Sequence, residues 1–402
     1  MKFVKIMNYD FPIINHINDV IPHIDDRSEF KVMVKDWYTV INYMVAFEDT
    51  FSLIRHRTHY NMWVRRECRG LIFDTETGNL ISRPYHKFFN VGEREETDIN
   101  KVNLYEPHVV LEKLDGSMIR PIPTKEGFRL ATKAGITDVA MNAEVFVADK
   151  PEYAKFIHSS IACGLTPIFE WCSRKNRIVI DYPEDKLILT AVRDNLTGTY
   201  LPHPIIVETG KNYNIPVVKA VDGLSVQNIN LFVNQVREWD DGEGIVLRFN
   251  SGHMVKVKAD EYVLRHKSKE QINQEKNVIQ TILSDSVDDL VPLLTPDDAT
   301  RLKEFQKAFW ASVDDLAYEM AQIYLGGNSV YPDKKDFAVE FVQKRILPIH
   351  APIMYAMKGG KGSRATIIDM ISKSLSTQNK IDQNRWLWGG LNWNYSNIDN
   401  TN

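Results

Sequence analysis

The sequence predicts an α+β protein in which antiparallel sheets come first and a smaller all-helical domain follows. Between about residues 64 and 260, short apolar stretches alternate with turn signals, as they do in β-hairpins. After Lys258 the pattern changes to longer stretches whose apolar residues recur three and four positions apart, which is typical of amphipathic helices. At 402 residues the chain is long enough for one large and one smaller domain.

The clearest strands are paired in two hairpins. Turn residues occupy positions 77–79 in RGLIFDTETGNLISRP and 250–252 in GEGIVLRFNSGHMVKVKA. Strand-like composition also marks FRLATKAG, TPIFEWCS, NRIVI and KLILTAVRD, and a helical pattern marks VAMNAEVFVADKPEYAKFIHSSIA. These segments together predict a domain built on antiparallel sheets.

The clearest helix runs from Thr295 to Leu325. Thr295 is suited to cap it, Pro296 suits its first position, and Gly326 with Gly327 predicts its end. We therefore expect a first domain over residues 1–265 and a helical domain over 266–375. Residues 376–402, rich in asparagine and tryptophan without periodicity, are expected to form a tail of unknown role whose tryptophans either pack on the domain or stack bases.

The composition narrows the class of protein. Apolar residues make up 44% and charged residues 25%, as in globular proteins. No run of 18 apolar residues and no signal-peptide pattern occurs, so we expect a cytoplasmic protein that does not bind membranes. Three cysteines without a CxxC pair disfavour disulfides and structural zinc. A net charge of −4 disfavours nonspecific nucleic-acid binding over the whole surface but allows a local basic groove.

The segment VVLEKLDGSMIRPIP places Lys113 between two apolar runs, at the edge of a tight turn. It is either a surface lysine of an ordinary hairpin or a nucleophile. A nucleophilic lysine must be neutral, and at its reference pKa only about one in a thousand is neutral near pH 7. Lys256 and Lys258, two apart on a predicted strand, would point to one face and could supply neighbouring cations or bind a phosphate. Glu243, just before that hairpin, is a candidate metal ligand.

Seven segments occur in an order that resembles the bacteriophage RNA ligase 1 family, within the lysine-adenylating nucleotidyltransferases. They are ECRG, SRPYHKFFNVGE, EKLDGS, IFEWCSRKNRIVI, LTAVRDNLTGTYL, EGIVLR and VKVKADEYVLRHKS. The resemblance covers about residues 37–268 and extends loosely into the helical part at QTILSDSVDDLVPLL. It departs from the family at Leu114, where an acid is common, and we expect Leu114 to be tolerated because its side chain should point away from Lys113.

The resemblance implies a role for each matching residue. Lys113 would form a phosphoramidate with AMP. ATP would be bound by Tyr43, Arg69, Lys87, Phe89, Glu170, Lys256 and Lys258. Metal would be placed by Glu243 and Asp288, and Lys133 and Tyr262 match positions with less defined roles.

The resemblance also implies an activity, that of an ATP-dependent RNA ligase that uses Mg²⁺ to join 5′-phosphate and 3′-hydroxyl ends of single-stranded RNA. Its substrate would be cleaved tRNA, at the anticodon loop, repaired during phage infection in the host cytoplasm by a monomeric enzyme. A DNA ligase or mRNA guanylyltransferase is disfavoured because those relatives carry an oligonucleotide-binding barrel where this sequence becomes helical. A non-catalytic nucleic-acid-binding relative is a further alternative.

Overall fold

The computed structural model describes residues 9, 11–47, 49–51, 60–225 and 228–394. The chain divides into two compact units, Met1–Val263 and Leu264–Asn402. The described part of the first unit combines helices with mostly antiparallel sheets, and in residues 264–394 helices are the only regular elements. The predicted α+β class is confirmed.

The first unit has three four-stranded sheets in its described residues, ordered β1-β2-β3-β4, β10-β9-β7-β8 and β5-β12-β11-β6. All neighbours are antiparallel except β5 and β12. The strands are β1 (Phe30–Val34), β2 (Tyr38–Tyr43), β3 (Arg69–Asp74), β4 (Leu80–Ser82), β5 (Phe89–Asn90), β6 (His108–Glu112), β7 (Ser117–Thr124), β8 (Gly127–Ala131), β9 (Leu165–Cys172), β10 (Lys186–Asp194), β11 (Gly244–Phe249) and β12 (Met254–Lys258).

Both predicted hairpins are present, as β3–β4 and β11–β12. Their turns contain Gly78 and Gly252 at φ of +72° and +92°, a region that favours glycine. The predicted strand in NRIVI is wrong, because residues 176–180 form turns and bends instead. Backbone amides in this segment bind a side chain of the candidate site, as described below, and are therefore not available to a sheet.

Helices of the first unit cover the sheets. They are α1 (Tyr60–Glu67), α2 (Asp138–Val147), α3 (Pro151–Ala162), α4 (His203–Tyr213) and α5 (Ile229–Arg237), and α6 (Asp260–Ile272) begins in this unit. The helical pattern predicted after residue 139 forms two helices because Pro151 begins a new one.

The sheet β5-β12-β11-β6 has two different faces. On one face, Ile245 and Leu247 of β11 and Val255 and Val257 of β12 pack with Phe232 of α5 in a buried apolar cluster. Residues that alternate with these, Val246 and Arg248 on β11 and Met254 and Lys256 on β12, line a cavity on the opposite face.

The second unit is built around α9 (Pro296–Val330), with Thr295 capping its first turn as predicted. The other helices are α7 (Glu275–Leu283), α8 (Val287–Leu290), α10 (Lys334–Asp336), α11 (Gln343–Arg345), α12 (Ala351–Lys358), α13 (Ser363–Ser374) and α14 (Gln378–Asn384), with a π-helical stretch Phe337–Val342 between α10 and α11.

One feature of this unit differs from the expectation. Helix α9 continues through Gly326 and Gly327, so its predicted end is wrong. A Cβ on Gly327 would overlap the Phe341 ring, which indicates that this glycine serves close packing within the unit. In the predicted tail, Trp388 and Trp393 pack in the helical core, which is one of the two expected alternatives, and Arg385 pairs with Glu275 of α7. No helix in the described residues combines the length and apolar character of a membrane span.

Candidate active site

A cavity of about 580 Å³ lies in the first unit, between the sheet that contains β11 and β12 and the sheet that contains β7, β9 and β10. Its wall includes five of the residues singled out from the sequence, Arg69, Lys113, Lys133, Glu170 and Lys256. These residues are far apart in the sequence, and the sheets bring them to one site.

Lys113 directly follows β6 and extends that strand's pairing by one position. Its amide donates to the carbonyl of Gly244 over 2.9 Å, which fixes the backbone beside the first residue of β11. Its ammonium nitrogen lies 2.6 Å from Oε2 of Glu243, and the Lys113 side chain stays 22% exposed. The backbone is therefore held by the sheet while the amine remains accessible from the cavity.

Glu243 forms ion pairs with two lysines. Its Oε1 lies 2.9 Å from Nζ of Lys258, while its other oxygen contacts Lys113, and its side chain is only 5% exposed. The next residue, Gly244, has φ of +133°, and a Cβ there would lie 2.1 Å from the carbonyl oxygen of Val257. Glycine is thus required for the close backbone approach that places Glu243 between the two amines.

Asp115, two residues after Lys113, secures the turn. It is 3% exposed, and its Oδ2 accepts from the amides of Val179 and Ile180 over 2.7 and 2.6 Å. Its Oδ1 accepts from the hydroxyl of Tyr262 over 2.7 Å. Tyr262, predicted at the site without a defined role, therefore helps to hold the turn after Lys113 through Asp115.

Glu170 lies on β9 next to this turn. A Cβ on Gly116 would lie 3.0 Å from Cγ of Glu170 and 2.5 Å from the carbonyl oxygen of Trp171, so the two segments touch. Burial raises the pKa of Glu170 to about 7, and the cations Lys113 and Arg69 offset only part of this shift. A carboxylate that loses solvation without full compensation suits a metal ion or a hydroxyl group as its partner.

Lys256 is a cation of the cavity wall with a strongly shifted pKa. Burial, followed by repulsion from Lys87, Lys113 and Arg69, lowers the pKa of Lys256 to about 7. Three neighbouring cations therefore repel the charged form of Lys256. A phosphate group would relieve that repulsion, which makes this end of the cavity suitable for a polyphosphate.

Tyr43 lies among the same cations. The Lys87 nitrogen lies 5.5 Å and the Lys133 nitrogen 6.0 Å from its ring centroid. Burial would raise the pKa of Tyr43, but Lys87, Arg69 and Lys133 outweigh burial and lower it. The predicted grouping of Tyr43 with Arg69 and Lys87 is therefore present in the structure.

Arg69 is available to the cavity because the neighbouring acid is already paired. Glu67 accepts hydrogen bonds from Arg83 over 3.1 Å and from Arg193 over 2.7 Å. Glu67 is therefore paired with these two arginines and not with Arg69.

Two adjacent phenylalanines, Phe88 and Phe89, face opposite sides. Phe89, predicted to pack near the nucleotide, is 2% exposed and belongs to the core between α1 and the first sheet. Phe88 lines the cavity instead, with the Lys256 nitrogen 5.7 Å from its ring centroid. Adjacent strand residues face opposite ways, and the sequence did not indicate which of the two faces inward.

Asp288 lies in the second unit, exposed in the first turn of α8. Its metal-binding role stays a prediction.

The sequence also gave no role to Arg248, although it lines the cavity. Its spacing is a signal that was available: on β11 it lies two residues after Val246, so it shares the cavity face.

The site suits a divalent metal that is shared with a ligand. Within the described parts of the chain, no three His, Cys, Asp or Glu side chains are grouped as a metal site. The charge of Glu243 nevertheless adds to the rise in the pKa of Glu170, so the two carboxylates are near one another, and Glu243 contacts Lys113. One or two carboxylates together with phosphate oxygens is the ligand set that Mg²⁺ commonly uses.

The chain is similar to known RNA ligases. The sequence model of the RNA ligase family matches residues 67–272, which is 206 of the 402 residues, and the chain belongs to this family. A protein of Thermovibrio ammonificans, named as a candidate RNA ligase, is 26% identical over 320 residues, which cover 77% of this chain and 80% of that protein.

Two further similarities cover less of the chain. RNA ligase 1 of bacteriophage TS2126 is 29% identical over 143 residues, 34% of this chain and 36% of its own length. Among solved structures, an archaeal ATP-dependent RNA ligase is similar over 63% of this chain and 64% of that chain, with a TM-score of 0.46 and 15% identity.

Proposed function

We propose that this member of the RNA ligase family is an ATP-dependent enzyme that joins 5′-phosphate and 3′-hydroxyl RNA ends through a covalent AMP on Lys113. The observation that carries the proposal is the position of the Lys113 amine, accessible from a cavity whose wall also bears Lys256, Arg69 and Lys133. An amine beside several cations is the arrangement expected for attack on a bound phosphate.

In the first step, Nζ of Lys113 attacks the α-phosphorus of ATP, a nitrogen–phosphorus bond forms, and the bond to the pyrophosphate leaving group breaks. The amine must lose a proton before or during attack, and Glu243, at 2.6 Å, is placed to accept it. Asp115 and Tyr262 keep the turn fixed while this happens. Because the nucleophile is already oriented, part of the entropic barrier is removed before ATP arrives.

The other charged residues of the site would bind the phosphates and the metal. Lys256 would hold the α-phosphate, and Arg69, Lys87 and Lys133 would hold the rest of the triphosphate. Glu170 and Glu243 would hold Mg²⁺, which supplies charge neutralisation at the phosphates when bound. Asp288 would bind a second metal through water.

Two further displacements complete the reaction. The RNA 5′-phosphate attacks the phosphorus of Lys113–AMP, which releases the lysine and leaves AMP on the RNA. The 3′-hydroxyl of the other end then attacks the RNA phosphate and releases AMP. Both displacements occur at phosphorus, so one set of cations can serve all three steps. Cleaved tRNA during phage infection, acted on by a monomer in the cytoplasm, is the setting we propose.

Labelling with ATP that carries radioactive phosphorus in its α-phosphate tests the first step. The denatured wild-type protein should retain label in the presence of Mg²⁺, and Lys113→Ala should retain at least about 10³-fold less, since the nucleophile is missing. Lys125→Ala is the control, because Lys125 is an exposed lysine in the turn between β7 and β8 and does not line the cavity. Full labelling of Lys113→Ala would refute the assignment.

The choice of substrate tests the rest of the proposal. A 5′-phosphorylated single-stranded RNA should be circularised, whereas a nicked DNA duplex should not be sealed. Preferential sealing of the duplex would indicate a DNA ligase, and covalent labelling by GTP rather than ATP would indicate a guanylyltransferase.

A further inference from the structure

Arg120 of β7 is a fully buried arginine that binds the backbone beside two cations of the cavity wall. Its Nη2 donates to the carbonyl oxygen of Gly70, the residue after Arg69. Its Nη1 donates to the carbonyl oxygen of Thr132, the residue before Lys133, over 2.7 Å. Arg69 and Lys133 both line the cavity, whereas Arg120 does not. One guanidinium therefore connects two distant backbone segments that each carry a cavity cation.

The first of these segments contains a β-bulge. The register of β2 against β3 passes from Leu71 to Arg69 in one step, so Gly70 has no counterpart on β2. Gly70 has φ of +98°, and a Cβ there would lie 2.8 Å from both the Cα and the carbonyl oxygen of Lys133. Bulges commonly redirect the neighbouring side chain. This bulge brings the backbone that carries Arg69 directly against the backbone that carries Lys133.

The second segment is a tight turn. Thr132 and Gly135 exchange two backbone hydrogen bonds, over 2.9 and 3.0 Å, and Lys133 lies between them. Gly135 has φ of +97°, and a Cβ there would lie 3.1 Å from the hydroxyl oxygen of Tyr38. The turn that presents Lys133 is therefore held on one side by Tyr38 and on another by Arg120.

The charge of Arg120 is poorly compensated. Within the described residues its hydrogen bonds go to the two backbone carbonyls, and its Nε has no partner. Burial, followed by repulsion from Arg69, lowers the pKa of Arg120 to about 9, and the Tyr38 phenol opposes that shift. A buried cation without a counterion is costly, and neutral donors would satisfy the same carbonyls at a lower cost. A planar guanidinium, however, holds two acceptors at one fixed spacing.

We propose that Arg120 is a positioning residue of the triphosphate site, which fixes the separation of Arg69 and Lys133 so that both bind one triphosphate. This inference rests on the proposed function, which assigns those two cations to the phosphates beyond the α-phosphate. Two like charges repel each other while the site is empty, so without Arg120 their backbones would be free to separate. A fixed spacing reduces the conformational freedom that binding would otherwise remove. AMP lacks the outer phosphates and would gain nothing from this arrangement.

A ratio of two dissociation constants tests the inference, that of AMP divided by that of α,β-methylene-ATP, an analogue that cannot adenylylate Lys113. Both are measured by calorimetry with Mg²⁺, after bound AMP has been removed with pyrophosphate. The wild-type ratio should exceed about ten. Arg120→Met, which lacks the donors, should lower the ratio about tenfold, with AMP affinity changed by less than about threefold. Arg120→Lys, which keeps a charged donor, should give an intermediate ratio.

Arg129→Met is the matched control. Arg129 belongs to the same hairpin, on β8, but its guanidinium pairs with Glu144 over 2.8 Å and does not line the cavity. This variant should keep the wild-type ratio whatever its effect on stability. Adenylylation kinetics add a second measurement, because Arg120→Met should raise the KM for ATP and change kcat by less than about threefold.

A further pair of variants tests whether Arg120 acts through the two cations. In protein that already carries Arg69→Ala and Lys133→Ala, addition of Arg120→Met should weaken binding of the ATP analogue by less than about threefold. A full additional tenfold loss would show that Arg120 does not act through them, and would overturn the inference.

The other outcomes separate this inference from the proposed function. An unchanged ratio in Arg120→Met would overturn the inference alone, and so would equal losses of affinity for AMP and for the analogue, since these indicate a purely structural role. Absence of covalent labelling of the wild-type protein by ATP would overturn the proposed function, and the inference with it.

Discussion

Two acids in the first unit, the buried Glu67 and the half-buried Glu170, differ in how far neighbouring cations compensate their charge. Glu67 has both carboxylate oxygens bound, one by Arg83 and one by Arg193. Burial would raise the pKa of Glu67, but the two arginines outweigh burial and lower it. Glu170 lies in the cavity wall, where burial outweighs the neighbouring cations and raises its pKa. A fully compensated buried charge stabilises the fold, whereas an undercompensated one is suited to a ligand.

Removal of the Glu67 charge should have the largest effect on stability. Glu67→Gln leaves Arg83 and Arg193 buried without their anion, so the free energy of unfolding should fall by about 3–5 kcal/mol at pH 7. Because the pKa of Glu67 is lowered on folding, the wild-type advantage is present above its ordinary pKa and is lost as the pH falls through the folded value. Urea denaturation at several pH values measures this, with Glu126→Gln as an exposed control. Unchanged stability at pH 7 would contradict the structural role of Glu67.

Removal of the Glu170 charge should act in the opposite direction. Glu170→Gln should raise the free energy of unfolding by about 1–3 kcal/mol above pH 7, because it removes a poorly compensated buried charge. The pKa of Glu170 is raised on folding, so the gain should shrink as the pH falls and vanish below about pH 4.5, its ordinary value. RNA joining by the same variant should be severely reduced. A variant that is destabilised but fully active would show instead that Glu170, like Glu67, stabilises the fold.

Lys256 should make ATP binding depend on pH. With a pKa of about 7, this lysine is charged below neutrality and increasingly neutral above it, while the triphosphate favours the charged form. The dissociation constant for a non-hydrolysable ATP analogue should therefore rise as the pH increases above 7, by at most about tenfold per pH unit. Calorimetric titrations between pH 6.5 and 9 measure this slope. Lys256→Arg stays charged throughout, and an equally steep slope in that variant would contradict the assignment.

The smallest effects should separate the two neighbouring phenylalanines. Phe89→Leu should lower the free energy of unfolding by about 1 kcal/mol, because Phe89 is in the core, and should change the KM for ATP little. Phe88→Leu should raise that KM severalfold and change stability by less than about 0.5 kcal/mol. Thermal unfolding and adenylylation kinetics on both variants measure the contrast. The reverse pattern would mean that the assignment of the two faces is wrong.

Much of this arrangement follows from local patterns in the sequence. Both hairpins were predicted from their turn residues, and Lys113, Glu243, Lys256 and Lys258 were selected by type and order along the chain. Their grouping at one site could be predicted only from the alternation of side chains along a strand and from the family resemblance.

What could not be predicted depends on contacts between distant segments. Asp115 accepts hydrogen bonds from two amides of the segment 176–180, and these bonds prevent the strand that the composition of the segment favours. Gly327 is a residue typical of a helix end, but it lies in the last turn of α9, where it accommodates Phe341. The choice between Phe88 and Phe89 and the burial of Arg248 both depend on which face of a sheet is covered, which a single sequence does not encode locally.

The central claim is that Lys113 carries the AMP. Protein incubated with ATP and Mg²⁺ should be digested under conditions that preserve a phosphoramidate, and the modified peptide identified by tandem mass spectrometry. We predict one modified peptide, with the added AMP located on Lys113 and lost when Lys113 is replaced by alanine. Location of the AMP on Lys133, Lys256 or any other side chain would show that Lys113 is not the nucleophile.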